Sequence, residues 1–146
     1  MLEKRYNIFY TDDDADDREF FKEVMKDIAA GHTLYTQSSG DELLEVLHSP
    51  PPQANLVFLD LNMPQKSGYE VLTSIRNSPF ISYIPVIVLS TSRDEYSINR
   101  AKSLGASLFL SKPDSYEDLQ KMIAAVLSQD WETYKPSEKD FYFTFN

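Results

Sequence analysis

Five short apolar runs alternate along this chain with five stretches of helical periodicity, and no other feature constrains the fold so tightly. Strands that alternate with helices predict a parallel sheet covered by helices on both faces, a doubly wound α/β domain. The predicted strands are Tyr6–Thr11, Thr33–Gln37, Asn55–Asp60, Pro85–Ser90 and Ser107–Ser111. The third carries Leu56, Val57, Phe58 and Leu59 without interruption, which reads as a central strand buried on both sides.

Between the runs, Phe20, Phe21, Val24, Met25 and Ile28 line one face of a first helix, and Gly31 stands where its C-cap is expected. Further helices are predicted over Asp41–His48, Gly68–Arg76 and Asp94–Leu104, with a fifth through Tyr116, Leu119, Met122, Ile123 and Val126. Pro50-Pro51-Pro52 is a rigid stop before the third strand.

At 146 residues the chain is the size of one domain. Residues 5–128 hold the alternating pattern; 129–146 form an aromatic-rich tail too short for an output domain. In the tail Phe141, Phe143 and Phe145 alternate with Tyr142 and Thr144, a strand-like period expected to pack on this domain rather than on another chain.

There is no cysteine, which excludes disulfides and thiolate metal sites. A net charge of -9 without a basic stripe argues against direct nucleic-acid binding. No apolar run is long enough for a membrane span or signal peptide, so a soluble cytoplasmic protein is expected. His32 and His48 lack metal-ligand spacing and receive no role.

In an open parallel sheet, ligands bind beyond the carboxyl ends of the strands. The first strand ends on Asp12 and Asp13, the third on Asp60, the fourth on Ser90 and Thr91, and the fifth on Lys112-Pro113. Three clustered carboxylates repel one another and call for a cation; carboxylate, carbonyl and water ligands suit Mg²⁺. Asp60, alone at the end of the most buried strand, is the candidate nucleophile toward phosphorus, with Lys112 as counter-charge.

Acids at this edge have plainer readings too. Asp14, Asp16 and Asp17 suit the start of the first helix, favoured by its dipole. The run Asp12 to Glu23 imitates a calcium loop, but Asp17 stands where that loop needs glycine.

Several motifs, in order, resemble the receiver domains of bacterial two-component response regulators. The acidic pair is Tyr10-Thr11-Asp12-Asp13; the D-x-x-M-P-x-x-x-G motif runs intact from Asp60 through Met63-Pro64 to Gly68. The P-h-h-h-h-[ST] strand is Pro85 to Ser90, and G-A-x-x-[FY]-x-x-K-P runs from Gly105-Ala106 through Phe109 to Lys112-Pro113. The spacer Asn77 to Ile84 and Leu89-Ser90-Thr91-Ser92 are similar to the small stand-alone regulators of phytochrome-type kinases.

The resemblance implies a flavodoxin-like (βα)5 fold with five strands in the order 2-1-3-4-5. It implies a phosphorylated signalling domain rather than an enzyme, with self-catalysed phosphorylation and autodephosphorylation at most. Asp60 would take a phosphoryl group from a sensor histidine kinase or phosphotransfer protein, with Mg²⁺ held by Asp13, Asp60 and the Asn62 carbonyl, and Asp12 assisting. Ser90 and Phe109 would form the switch pair, signalling to an unidentified downstream protein, and a homodimer through the same face stays open. A cis bond between Lys112 and Pro113 is also implied.

Three other readings compete. A phosphorelay intermediary would pass phosphate from Asp60 to a second histidine protein. A haloacid-dehalogenase-like phosphatase would want an acid two residues after its nucleophile, where Asn62 stands. A receiver that binds partners without phosphorylation sits poorly with intact Asp13, Asp60, Ser90 and Lys112. One departure from the family pattern, Asp114 after Lys-Pro, places a charge where an apolar residue is usual.

Overall fold

The computed structural model describes residues 5–28 and 31–144. Strands and helices alternate as β1 (Asn7–Thr11), α1 (Ala15–Ile28), β2 (Thr33–Gln37), α2 (Gly40–Leu47), β3 (Leu56–Leu59) and α3 (Gly68–Asn77). They continue as β4 (Val86–Ser90), α4 (Glu95–Ser103), β5 (Leu108–Ser111) and α5 (Tyr116–Leu127). A 3-10 turn (Glu138–Asp140) then leads into a short β6 (Tyr142–Phe143).

Every pairing is parallel, and the sheet order is β2-β1-β3-β4-β5-β6. This is the flavodoxin-like α/β arrangement, with one correction to the expected five strands. The sixth comes from the tail: Phe109 N–H donates to the Phe141 carbonyl at 2.8 Å, and Phe109 and Leu110 sit opposite Tyr142 and Phe143. An uncovered β5 edge would leave backbone donors unpaired, and the tail supplies both the acceptors and apolar rings to bury. Phe145 lies outside the described residues.

Alternation along the strands splits the core between the two faces of the sheet. Ile8, Phe58 and Leu89 point toward α1 and α5, where Phe21, Met122 and Ile123 complete one layer. Phe9, Val57 and Leu59 point the other way onto Leu43, Val71 and Ile75 of α2 and α3. The tail closes the first layer with Trp131, whose indole N–H donates to the Val126 carbonyl at 2.8 Å.

Local signals set the helix starts. Ser39, Asp94 and Ser115 cap α2, α4 and α5, and Ser67 makes a reciprocal capping box with Glu70 at α3. At α1 the cap is Asp14, whose Oδ1 accepts from the Asp16 and Asp17 amides at 2.9 and 3.3 Å. Gly31 has φ +101°, the left-handed conformation that ends a helix.

Among the described residues the cis bonds are Pro50–Pro51 and Pro51–Pro52, so the expected cis Lys112–Pro113 bond is not found. The long Lys112 stem reaches the acids without it. No helix among the described residues is long and apolar enough to cross a membrane.

Candidate functional site

Strand register gathers the chemistry at one edge. Thr11 sits opposite Leu59 and Ser90 opposite Ser111, so Asp12, Asp60 and Lys112 each begin where a paired strand stops. Backbone bonds carry the alignment one residue further: Asp60 N–H to the Thr11 carbonyl at 3.0 Å, and Lys112 N–H to the Ser90 carbonyl at 2.7 Å.

Beyond Asp60 the chain doubles back under its own strand end. Gly68 N–H donates to the Leu61 carbonyl at 2.9 Å, and a Cβ on Gly68 would lie 2.3 Å from the Asp60 carbonyl oxygen and 2.7 Å from Leu61 Cα. Both neighbours are backbone, so only glycine fits, which explains physically why a glycine stands eight residues after Asp60. Gln65 absorbs the turn with φ 67°.

One carboxylate oxygen from each of Asp12, Asp13 and Asp60 lies within 4.8 Å of the others. Asp12 is fully buried and already engaged. Its Oδ2 accepts from the Tyr10 hydroxyl at 2.6 Å and from Lys112 Nζ at 2.8 Å, and its Oδ1 accepts from the Asp14 amide at 3.0 Å. Asp13 is exposed. Lys112 Nζ also donates to Asp17 Oδ2 at 3.0 Å and stands 3.7 Å from Asp60 Oδ1.

These environments perturb three groups. Burial pushes the Asp60 carboxyl up to about 7, with Asp12 and Asp13 adding to the rise and Lys112 and the Asn62 backbone N–H opposing it. For Lys112 burial works against the charge, but the hydrogen bond to Asp12 and the charges of Asp60 and Asp12 outweigh it and raise the value. Burial, reinforced by Asp12, lifts the Tyr10 phenol well above its ordinary value, so it stays a donor.

The residues fit a hard divalent cation. The donors are all oxygen, three carboxylates face one ammonium, and Asp13 together with Asp60 can offer oxygens, whereas Asp12 is held by Tyr10 and Lys112.

The remaining expected residues fall near but not into the acid cluster. Ser90 is buried at the end of β4, and its Oγ accepts from the Ser92 amide at 3.1 Å. Asn62 and Thr91 are exposed on the loops after β3 and β4. Phe109 is wholly buried against Leu61, Val88, Ala101 and Phe141, and its ring lies 5.8 Å from that of Tyr142. Asp114 is exposed and lines a cavity of about 280 Å³ beside Lys112, together with Asp17, Phe20 and Thr91.

Both histidines make local hydrogen bonds away from the acid cluster. His32 Nδ1 accepts from the Tyr6 amide at 2.9 Å, and His48 bridges the Leu44 carbonyl and the Ser78 hydroxyl.

Sequence reasoning missed two members of the site. Tyr10 shares a strand face with Asp12 two residues on, a period that was there to be read. Asp17, expected only to serve the helix start, turns across to Lys112.

Comparison with known proteins bears on this geometry. The profile of the response regulator receiver domain matches residues 8–124. The response regulator Rcp1 of Synechocystis sp. is 33% identical over 126 residues, covering 83% of this chain and 86% of that protein. Its crystal structure, in a Mn²⁺-bound form, superposes with a TM-score of 0.76 over 90% of this chain and 99% of the other, at 32% identity.

The phosphorylated cyanobacterial phytochrome response regulator RcpA gives a TM-score of 0.78 at 28% identity, covering 92% of this chain and all of the other. A plant protein, the two-component response regulator ARR17 of Arabidopsis thaliana, is 27% identical over 137 residues, covering 87% of this chain and 88% of its own. Similarity therefore spans cyanobacteria and plants.

Proposed function

This chain belongs to the response regulator receiver domain family, and we propose that within it Asp60 is the phosphoacceptor of a Mg²⁺-dependent switch served by a sensor histidine kinase or phosphotransfer protein. The observation that carries this reading is the pocket itself. Asp60, its side chain 7% exposed at the end of the central strand, shares a 4.8 Å cluster with Asp12 and Asp13 and has Lys112 Nζ 3.7 Å away.

An Asp60 carboxylate oxygen attacks the phosphorus of a phosphohistidine, and the P–N bond breaks with its electron pair left on the imidazole nitrogen. An acyl phosphate remains on Asp60. Attack requires the ionised carboxylate, so the burial that holds Asp60 near 7 must be offset in the loaded pocket. Asp13, Asp60 and the Asn62 carbonyl, with Asp12 assisting, would hold Mg²⁺, which when bound would favour the ionised carboxylate and offset charge on the transferring phosphoryl oxygens.

Lys112 pairs with a phosphoryl oxygen, and the Ser90 hydroxyl gives up the Ser92 amide to donate to another. Phe109, already buried against Val88 and Phe141, would repack in place, altering the face of α4, β5 and α5 together with the β6 strand that covers the β5 edge. Water attack on phosphorus, breaking the P–O bond to Asp60, restores the carboxylate and releases inorganic phosphate. Mn²⁺ in Rcp1 and phosphorylation of RcpA support the reading as properties of those relatives. A cytoplasmic setting suits a histidine kinase donor.

The test is incubation with Mg²⁺ and acetyl phosphate, read by intact mass. One phosphoryl group should add to the wild type and none to Asp60→Asn. Equal labelling of the two, or no label on either, would overturn the proposal.

A further inference from the structure

The lysine that is to meet the phosphoryl group does not rest on the proposed nucleophile. Lys112 Nζ donates to Asp12 Oδ2 at 2.8 Å and to Asp17 Oδ2 at 3.0 Å, while Asp60 Oδ1 lies at 3.7 Å, outside hydrogen-bond reach. Two of its three N–H donors are thus committed before any phosphate arrives.

The two anchors differ in kind. Asp12 is 1% exposed and fixed by Tyr10 and the Asp14 amide, so it cannot leave. Asp17 sits in the first turn of α1, is 42% exposed, and borders the cavity that opens beside Lys112. Water can replace Lys112 at Asp17 with little penalty, because an exposed carboxylate recovers its hydration when the pair opens.

We propose that Asp17 is a positioning residue that draws the Lys112 ammonium away from Asp60 in the resting state and thereby sets how tightly the pocket holds a phosphoryl group. The inference rests on the reading of Asp60 as phosphoacceptor. A phosphoryl group on Asp60 competes with Asp17 for the same ammonium, and the exposed bond is the one that yields. Asp16, its neighbour in the same turn, carries the same charge, yet the ion pairs of Lys112 among the described residues are with Asp12, Asp17 and Asp60.

The test is the affinity of the full chain for beryllofluoride in the presence of Mg²⁺, followed by ¹⁹F NMR, for wild type, Asp17→Asn, Asp16→Asn and Asp17→Glu. Asp17→Asn should bind about three- to tenfold more tightly than wild type, as expected for the loss of one competing charge-assisted bond. Asp16→Asn should change affinity by less than about twofold, since screening leaves little of a charge that makes no ion pair with Lys112 among the described residues. Asp17→Glu, which keeps a carboxylate within reach of Nζ, should stay near wild type.

Asp17→Asn binding no more tightly than Asp16→Asn, or Asp17→Glu matching Asp17→Asn, would overturn the inference alone. A wild type that does not bind beryllofluoride at all would remove the phosphoacceptor reading, and this inference with it.

Discussion

The Tyr10 hydroxyl donates to Asp12 Oδ2 at 2.6 Å, the same oxygen that Lys112 holds at 2.8 Å. A phenol and an ammonium together satisfy one buried carboxylate oxygen. Tyr10→Phe preserves the ring stacked 4.2 Å from Phe21 and removes only the donor. It should cost about 1.5–3 kcal/mol, the range for a hydrogen bond to a charged group. Urea unfolding at neutral pH measures it, and an unchanged midpoint would mean that Lys112 alone satisfies Asp12.

Asp60 makes stability depend on pH in a direction opposite to an ordinary ion-paired carboxylate. The groups facing it are Lys112, which follows β5, and Asp12 and Asp13, which follow β1, and burial prevails to raise it to about 7 from 3.8. Between those values the native state keeps a proton that the unfolded chain has released, so unfolding free energy falls as pH rises. In EDTA, Asp60→Asn should match wild type at about pH 4 and exceed it at about pH 8 by on the order of 2–4 kcal/mol. Denaturant titrations at both pH values read the difference; a gap that is the same at each would count against a raised Asp60.

Gly68→Ala should damage the loop that seats Asp60. Its Cβ would lie 2.3 Å from the Asp60 carbonyl oxygen, with no flexible side chain to give way. A loss of about 1–3 kcal/mol is expected, as for other forced overpacking. Slower labelling by acetyl phosphate should accompany it, because the Asp60 backbone must shift.

The tail contributes through its buried rings, not through its exposed ones. Trp131 is 7% exposed and Phe143 42%. Trp131→Ala should cost about 3–5 kcal/mol, the range for deleting a large aromatic from a core, whereas Phe143→Ser should stay within about 0.5 kcal/mol. Thermal melts of the two variants compare them directly.

What the sequence made legible follows the range over which each interaction acts. The five parallel strands and five helices were readable because hydrophobic period is local, and strand boundaries shifted by at most one residue at an end, as at Asn55 and Asp60 flanking Leu56–Leu59. The gathering of Asp12, Asp13, Asp60 and Lys112 was readable because a parallel sheet brings its strand ends to one edge.

The pairing of Asp17 with Lys112 was not, since it joins residues 95 apart through the packing of α1 beside the end of β5. Nor was β6: the alternation in Tyr142 and Phe143 signals a strand, but no local pattern says that the edge it covers is that of β5.

Asp60, rather than a neighbouring acid, is proposed to carry the phosphoryl group. An acyl phosphate is reduced by borohydride to the alcohol, so trapping after acetyl phosphate treatment marks the acceptor as homoserine, and peptide mass spectrometry locates it. Homoserine at position 60 in the presence of Mg²⁺, and none in EDTA, is the expected result. Homoserine at position 12 or 13, or at no position, would mean that Asp60 is not the phosphoacceptor.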